Sequence, residues 1–221
     1  MTERDFTWPI RGLYAITSDA PSPAALAERA AAWIAGGARV VQYRDKGRDI
    51  DRRLAEAQGL RAVCRAGGVP LLINDDVALA AAVGADGVHL GRDDADPAQA
   101  RAQLGAQALI GVSCYADLAR ARTAVAQGAD YVAFGCFFPS VTKPEAALAP
   151  IDVLRAAKAA LSVPLVAIGG ITPDNAPMLI AAGADLVAVI GGLCGRDPAA
   201  QARSYAQRFT AAEAASFSTG A

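Results

Sequence analysis

Apolar residues in this chain gather into short dense runs, each followed by a longer segment of helical length. The runs are Leu13–Ile16, Val40–Tyr43, Leu71–Ile73, Gly87–Leu90, Leu109–Val112, Tyr131–Phe134, Leu165–Ile168 and Leu186–Ile190. Short, nearly continuous apolar runs are the pattern of parallel strands buried on both faces. A repeat marks every second one. Gly37-Ala38-Arg39, Gly84-Ala85-Asp86, Gly128-Ala129-Asp130 and Gly183-Ala184-Asp185 each stand between a helical segment and a strand. A glycine just past a helix supplies the left-handed residue that stops it. The spacing between copies is too long for one strand-helix unit and suits two.

Helix starts are marked as well. Ser22-Pro23, Asp96-Pro97, Thr172-Pro173 and Asp197-Pro198 each place a capping side chain before a proline suited to the first helical turn. Eight alternations of strand and helix predict an α/β protein with a closed (β/α)8, or TIM, barrel. An open doubly wound sheet would carry a glycine-rich turn after its first strand, and Ile16-Thr17-Ser18-Asp19 is not one. The expected organisation is a single barrel domain over residues 1–221. It includes a short N-terminal extension at 1–9, with Trp8 packing on the barrel, and a frayed tail at 211–221.

Composition narrows the function. A net charge of −1 gives no general attraction to nucleic acid or anionic membranes. No apolar stretch reaches the length of a membrane span, and Met1–Asp5 lacks the apolar core of a signal peptide. Cys64, Cys114, Cys136 and Cys194 are scattered without metal-type spacing, which suits reduced thiols in the cytoplasm.

In a barrel of this kind the chemistry lies at the C-terminal ends of the strands. Just past the apolar runs stand Gln42-Tyr43-Arg44-Asp45-Lys46, Asn74-Asp75-Asp76, Arg92-Asp93-Asp94, Ser113, the stretch from Phe137 to Pro144, Gly169-Gly170 and Gly191-Gly192. Asp75 and Asp94 are the sharpest pair. They follow consecutive strands, so both project from one edge, where Mg2+ held by two carboxylates and substrate phosphate would fit. Helix capping is the plainer reading of either acid, and Asp76 and Asp93 are the better capping or solvent-facing neighbours. The glycine turns after strands 7 and 8 are either tight turns or a phosphate cradle. Ser140, Thr142 and Lys143 form a polar cluster that reads as a solvated loop or as part of the site. A divalent cation with Arg44, Lys46 and Lys143 exceeds the two aspartates by roughly three charges, which matches a diphosphate. His89, the single histidine, lies inside a strand and reads as a buried, hydrogen-bonded residue more readily than as an acid-base catalyst.

Taken together these segments resemble the thiamine-phosphate synthase family. The resemblance rests on Val41–Lys46, Ile73-Asn74-Asp75, Gly84–Asp94, Ile110–Ser113, Phe134-Gly135 through Pro139–Lys143, and Ala167–Ile171, in that order. It implies a Mg2+-dependent transferase that joins 4-amino-2-methyl-5-hydroxymethylpyrimidine diphosphate to a thiazole phosphate, releasing diphosphate by a dissociative route. By the same resemblance Gln42, Tyr43, Arg44, Asp45, Lys46, Asn74, Ser113 and Lys143 would hold the pyrimidine diphosphate. Lys46, Ser113 and Lys143 would be the catalytic groups, and Asp75 and Asp94 would bind Mg2+. Ser140, Val141 and Thr142 would line the thiazole phosphate site, with Gly170, Ile190 and Gly191 around the phosphate. The family usually has Thr where Ser140 stands and Ser where Gly191 stands; the first change keeps a hydroxyl, and the second removes one from the phosphate turn. The partners implied are these two small molecules. A thiazole tautomerase on the same barrel needs no diphosphate site, and a non-catalytic barrel binding a thiamine precursor needs no metal pair. Lys46, Asp75, Asp94 and Lys143 together speak against both.

Overall fold

The computed structural model describes residues 8, 10–92, 94–140, 145 and 147–218. Strands and α-helices alternate, with one short 3-10 turn (Gly191–Leu193) after the last strand: β1 (Gly12–Ile16), α1 (Pro23–Ala35), β2 (Ala38–Tyr43), α2 (Ile50–Ala66), β3 (Leu71–Asn74), α3 (Val77–Val83), β4 (Gly87–Leu90) and α4 (Pro97–Leu104). The second half follows with β5 (Leu109–Tyr115), α5 (Leu118–Ala126), β6 (Tyr131–Phe134), α6 (Asp152–Ala160), β7 (Leu165–Ile168), α7 (Ala176–Ala181), β8 (Leu186–Val189) and α8 (Pro198–Ser218). All neighbouring strands pair in parallel, and β8 pairs with β1, closing the expected barrel.

Two cores result from the alternation of side chains along each strand. Outward residues such as Leu13, Val41, Leu71, Val132 and Leu165 pack against helix faces rich in alanine, including Ala30, Ala57, Ala80, Ala121 and Ala157. The small methyl lets each helix lie close on the sheet. Inward residues such as Val40, Leu72, Leu109, Val166 and Leu186 fill the lower barrel. Trp8 caps this floor from below, its ring 5.7 Å from that of Tyr131.

The glycine repeat does what its position predicts: Gly37, Gly84, Gly128 and Gly183 all have positive φ. The acid that follows has its own task. Asp86, Asp130 and Asp185 accept the N–H groups of Leu71, Ile110 and Leu165 at 2.8, 2.7 and 2.9 Å, each latching one strand pair at the barrel bottom. Arg61, Arg101 and Lys158, on the helices that lead into β3, β5 and β7, neutralise these acids.

Ser22, Asp96 and Asp197 cap their helices as expected. Thr172 does not: its hydroxyl accepts from Asn175 N–H at 3.3 Å in a turn, and α7 begins later, at Ala176. The tail expected to fray from 211 is instead helical to Ser218. Ala-Ala-Glu-Ala-Ala is a strong helix-forming sequence, and its propensity carries α8 onward.

Candidate active site

At the C-terminal end of the barrel the inward residues become small or polar, and a cavity of about 440 Å³ opens. Ala133, Val166, Ile168, Ala188 and Ile190 make its apolar wall. Gln42, Asn74, His89 and Ser113 supply polar groups from four adjacent strands, β2 to β5. Two further cavities adjoin it. One shares Asn74 and continues over Asp45, Lys46, Asp75 and Asp76. The other shares Ser140, Gly169 and Ile190 and runs over Gly170, Gly191 and Gly192.

The first side cavity holds the charge. Asp75 ends β3 in the left-handed conformation (φ 64°), with its N–H bonded to the His89 carbonyl at 2.8 Å. Aspartate tolerates this region better than most residues. The turn frees Asp76 to cap α3, where it accepts Leu79 N–H at 2.9 Å. Lys46 donates to Asp75. Asp94 accepts Gly91 N–H at 2.6 Å, and the two carboxyl groups share a hydrogen bond. Burial opposes ionisation of Asp75, but Lys46 and the bond with Asp94 outweigh it and lower its pKa. At Asp94, burial and the Asp75 carboxylate push the pKa up against the pull of Gly91 N–H. Two acids in contact, one reluctant to ionise, are a pair that a divalent cation would relieve. The oxygen-only donor set fits Mg2+.

The second side cavity is a backbone surface. Gly169 and Gly170 have positive φ, and a Cβ on either would collide with the loop after β6, at Cys136 and at Pro139 O. Their glycines are therefore required by that close approach as well as by the turn. Gly191 is different: a Cβ there would meet nothing within 4 Å.

This sequence matches the thiamine monophosphate synthase family over residues 13–193. The chain belongs to that family. A protein of Azoarcus sp. (strain BH72) named thiamine-phosphate synthase is 57% identical over 201 residues, covering 90% of this chain and 98% of that protein. One from Nitrosococcus oceani with the same name is 54% identical over 202 residues, covering 90% and 93%. Among solved structures, thiamine phosphate pyrophosphorylase from Pyrococcus furiosus superposes with a TM-score of 0.81 at 29% identity, covering 91% of this chain and 96% of that one.

Within this thiamine monophosphate synthase barrel, most of the residues picked from sequence converge. Gln42, Arg44, Asn74, Ser113, Ser140 and Ile190 line the main cavity; Lys46, Asp45, Asp75, Gly170 and Gly191 line its arms. Val141, Thr142 and Lys143 lie outside the described residues. Tyr43 keeps its side chain out of the cavity. Because Gln42 points inward, strand alternation turns Tyr43 outward, where it is buried and donates to Glu56 at 2.6 Å. Asp45 also works largely behind the site, accepting Gly47 N–H and pairing with Arg52 to set the β2 loop.

Other contributors were given no role from sequence, although Arg92 stood among the strand-end residues. Thr17 pins the backbone of Arg44, its hydroxyl accepting Arg44 N–H at 2.8 Å. Arg92 stacks over Tyr115 at 4.6 Å on the cavity rim. Tyr14 lines the cavity floor, and Tyr131 backs it. Tyr14 and Tyr131 carry a signal in hindsight: both are polar-tipped aromatics at inward positions of their strands.

Proposed function

We propose that this protein is a thiamine-phosphate synthase, transferring the pyrimidinylmethyl group from its diphosphate ester to the nitrogen of a thiazole phosphate. The observation that carries the reading is the three-part cavity of a family member. It has an apolar chamber edged with hydrogen-bonding groups, a carboxylate–lysine arm and a glycine-turn arm meeting at one place. The chamber suits the pyrimidine, the charged arm its diphosphate, and the glycine arm the second phosphate.

Asp75 and Asp94 would hold Mg2+, which when bound supplies positive charge to a departing diphosphate. Gln42, Asn74 and Ser113 orient the ring. Arg44 and Lys46 hold the diphosphate, and Lys143 adds to them. As the methylene carbon–oxygen bond breaks, the pyrimidine amine donates electrons toward the carbon and the diphosphate takes the bonding pair. The thiazole nitrogen then forms the new carbon–nitrogen bond. Bringing the two rings together in one chamber is the largest part of the protein's work. His89 is bonded through both ring nitrogens, to Tyr131 and Ser113, which suits a fixed residue rather than a proton carrier. That speaks against a tautomerase. The free cysteines suit a cytoplasmic enzyme, and no helix among the described residues is long and apolar enough to cross a membrane.

Purified protein with Mg2+ and both substrates should form thiamine phosphate and diphosphate in equal amounts. Folded protein that binds both substrates yet forms no product would refute the reading.

A further inference from the structure

Five side chains inside the barrel form one continuous hydrogen-bonded chain. Gln42 Nε2 donates to the Tyr14 hydroxyl at 2.7 Å. Tyr14 and Tyr131 hydroxyls meet at 2.9 Å. The Tyr131 hydroxyl lies 2.9 Å from His89 Nδ1, and His89 Nε2 lies 2.9 Å from Ser113 Oγ. Both ends of the chain, Gln42 and Ser113, face the main cavity.

With the Gln42 amide set so that Nε2 faces Tyr14, one direction can run through the whole chain. A phenol hydroxyl carries one proton. In that direction the Tyr14 oxygen accepts from Gln42 and gives its own proton to Tyr131. Tyr131 in turn gives its proton to His89 Nδ1. That nitrogen is then an acceptor, the ring proton sits on Nε2, and Nε2–H donates to Ser113 Oγ. The Ser113 proton is left to point into the cavity. At the other end the Gln42 carbonyl oxygen has no donor among the described residues, and it is left as an acceptor. Burial, partly offset at Tyr14 by its hydrogen bonds, raises the pKa of both phenols and keeps them protonated donors. The opposite direction requires the Gln42 amide to present its oxygen to Tyr14 and the His89 ring proton to sit on Nδ1.

We propose that Tyr14, Tyr131 and His89 are positioning residues that fix Gln42 as an acceptor and Ser113 as a donor, and so select a pyrimidine carrying an exocyclic amine over its oxo counterpart. The inference rests on the synthase reading above. An amine gives the Gln42 oxygen an N–H. An oxo group sets carbonyl against carbonyl, and Gln42 can turn its amide over only if Tyr14, Tyr131 and His89 all reverse their protons with it.

Two measurements on the full chain test this. The first uses the wild-type protein. His89 is the single histidine, so a 15N-histidine spectrum reads one ring. At neutral pH the neutral tautomer protonated on Nε2 is expected; protonation on Nδ1, or an imidazolium, would overturn the proposed polarity. The second compares binding of the 4-amino and 4-oxo pyrimidine diphosphates with Mg2+ present. Wild type should favour the amine by on the order of 10- to 100-fold. Tyr14→Phe frees the amide and should cut that ratio by about tenfold, while leaving affinity for the thiazole phosphate within about twofold. A residue that only stabilised the barrel would shift the melting temperature without moving the ratio, and an unchanged ratio in folded Tyr14→Phe overturns the network's role. If Tyr14→Phe does not fold, the tautomer measurement decides alone. Wild-type protein that binds neither pyrimidine would overturn the synthase reading together with the selectivity. Wild-type binding with an unmoved ratio overturns the network and leaves the synthase reading standing.

Discussion

The ring of Tyr131 fills the space that a side chain on Gly111 would need. The two residues are register partners on β5 and β6, and a Cβ on Gly111 would fall 1.9 Å from Tyr131 Cζ and 2.2 Å from its hydroxyl. The glycine is what lets a phenol cross the barrel interior and reach His89. Gly111→Ala should therefore displace Tyr131, lowering stability by about 1–3 kcal/mol through overpacking. Thermal unfolding and pyrimidine diphosphate affinity should both worsen. If neither moves, the barrel relaxes around the methyl and the fit is not as tight as described.

The carboxyl pair predicts a pH signature. The pKa of Asp94 is raised and that of Asp75 lowered, so as pH falls the proton returns first to Asp94. A cation needs both groups ionised. Calorimetric titration should show Mg2+ binding with proton release, weakening as the solution is acidified. Asp94→Ala should lower turnover by roughly 100-fold or more and leave thiazole phosphate binding nearly intact. Equal Mg2+ affinity in acidic and alkaline buffer would remove Asp94 from the metal site.

Gly191 offers a test in the opposite direction. The space beside it is open and its φ lies outside the left-handed region, so nothing in the backbone demands glycine. Gly191→Ser restores a hydroxyl beside the phosphate turn. A new hydrogen bond worth about 1 kcal/mol would lower KM for the thiazole phosphate roughly fivefold, with the melting temperature unchanged. A KM that stays put or rises would mean that the phosphate sits elsewhere.

The latches at the barrel bottom should separate stability from activity. Asp130 accepts Ile110 N–H and pairs with Arg101 at 2.6 Å. Asp130→Ala leaves that N–H without its acceptor, at a cost of about 1–3 kcal/mol. kcat/KM measured well below the melting temperature should stay within about twofold of wild type. A large loss of activity in the folded variant would mean that strain at the bottom reaches the site.

Much of this architecture was legible because barrel strands are written locally. Each of the eight runs announced itself by composition, and every repeat glycine by its place after a helix. Asp75, Asp94, Asn74 and Lys46 could be read because they stand at strand ends, where the fold gathers residues whatever their neighbours. Two kinds of residue escaped. The outward turn of the Tyr43 side chain was not read because adjacency in a loop motif hides the alternation that produces it. Tyr14 and Tyr131 were overlooked because their meeting depends on the curvature that brings β1 and β6 across the barrel, and on an empty position at Gly111. The repeat aspartates were seen but not understood, since their partners are backbone N–H groups, which a sequence does not display. Local propensity also outran expectation at the C-terminus, where polarity suggested fraying and alanine sustained the helix.

Trp8 and Tyr131 make the barrel a blind chamber rather than a tunnel. Whatever enters must turn back by the door it came through, and nothing can slide past a fixed depth. For a reaction in which a methylene changes owners, that is a ruler. On the proposed reading, a pyrimidine resting against Tyr14, Gln42 and His89 would have the height of its reactive carbon set by the thickness of one ring.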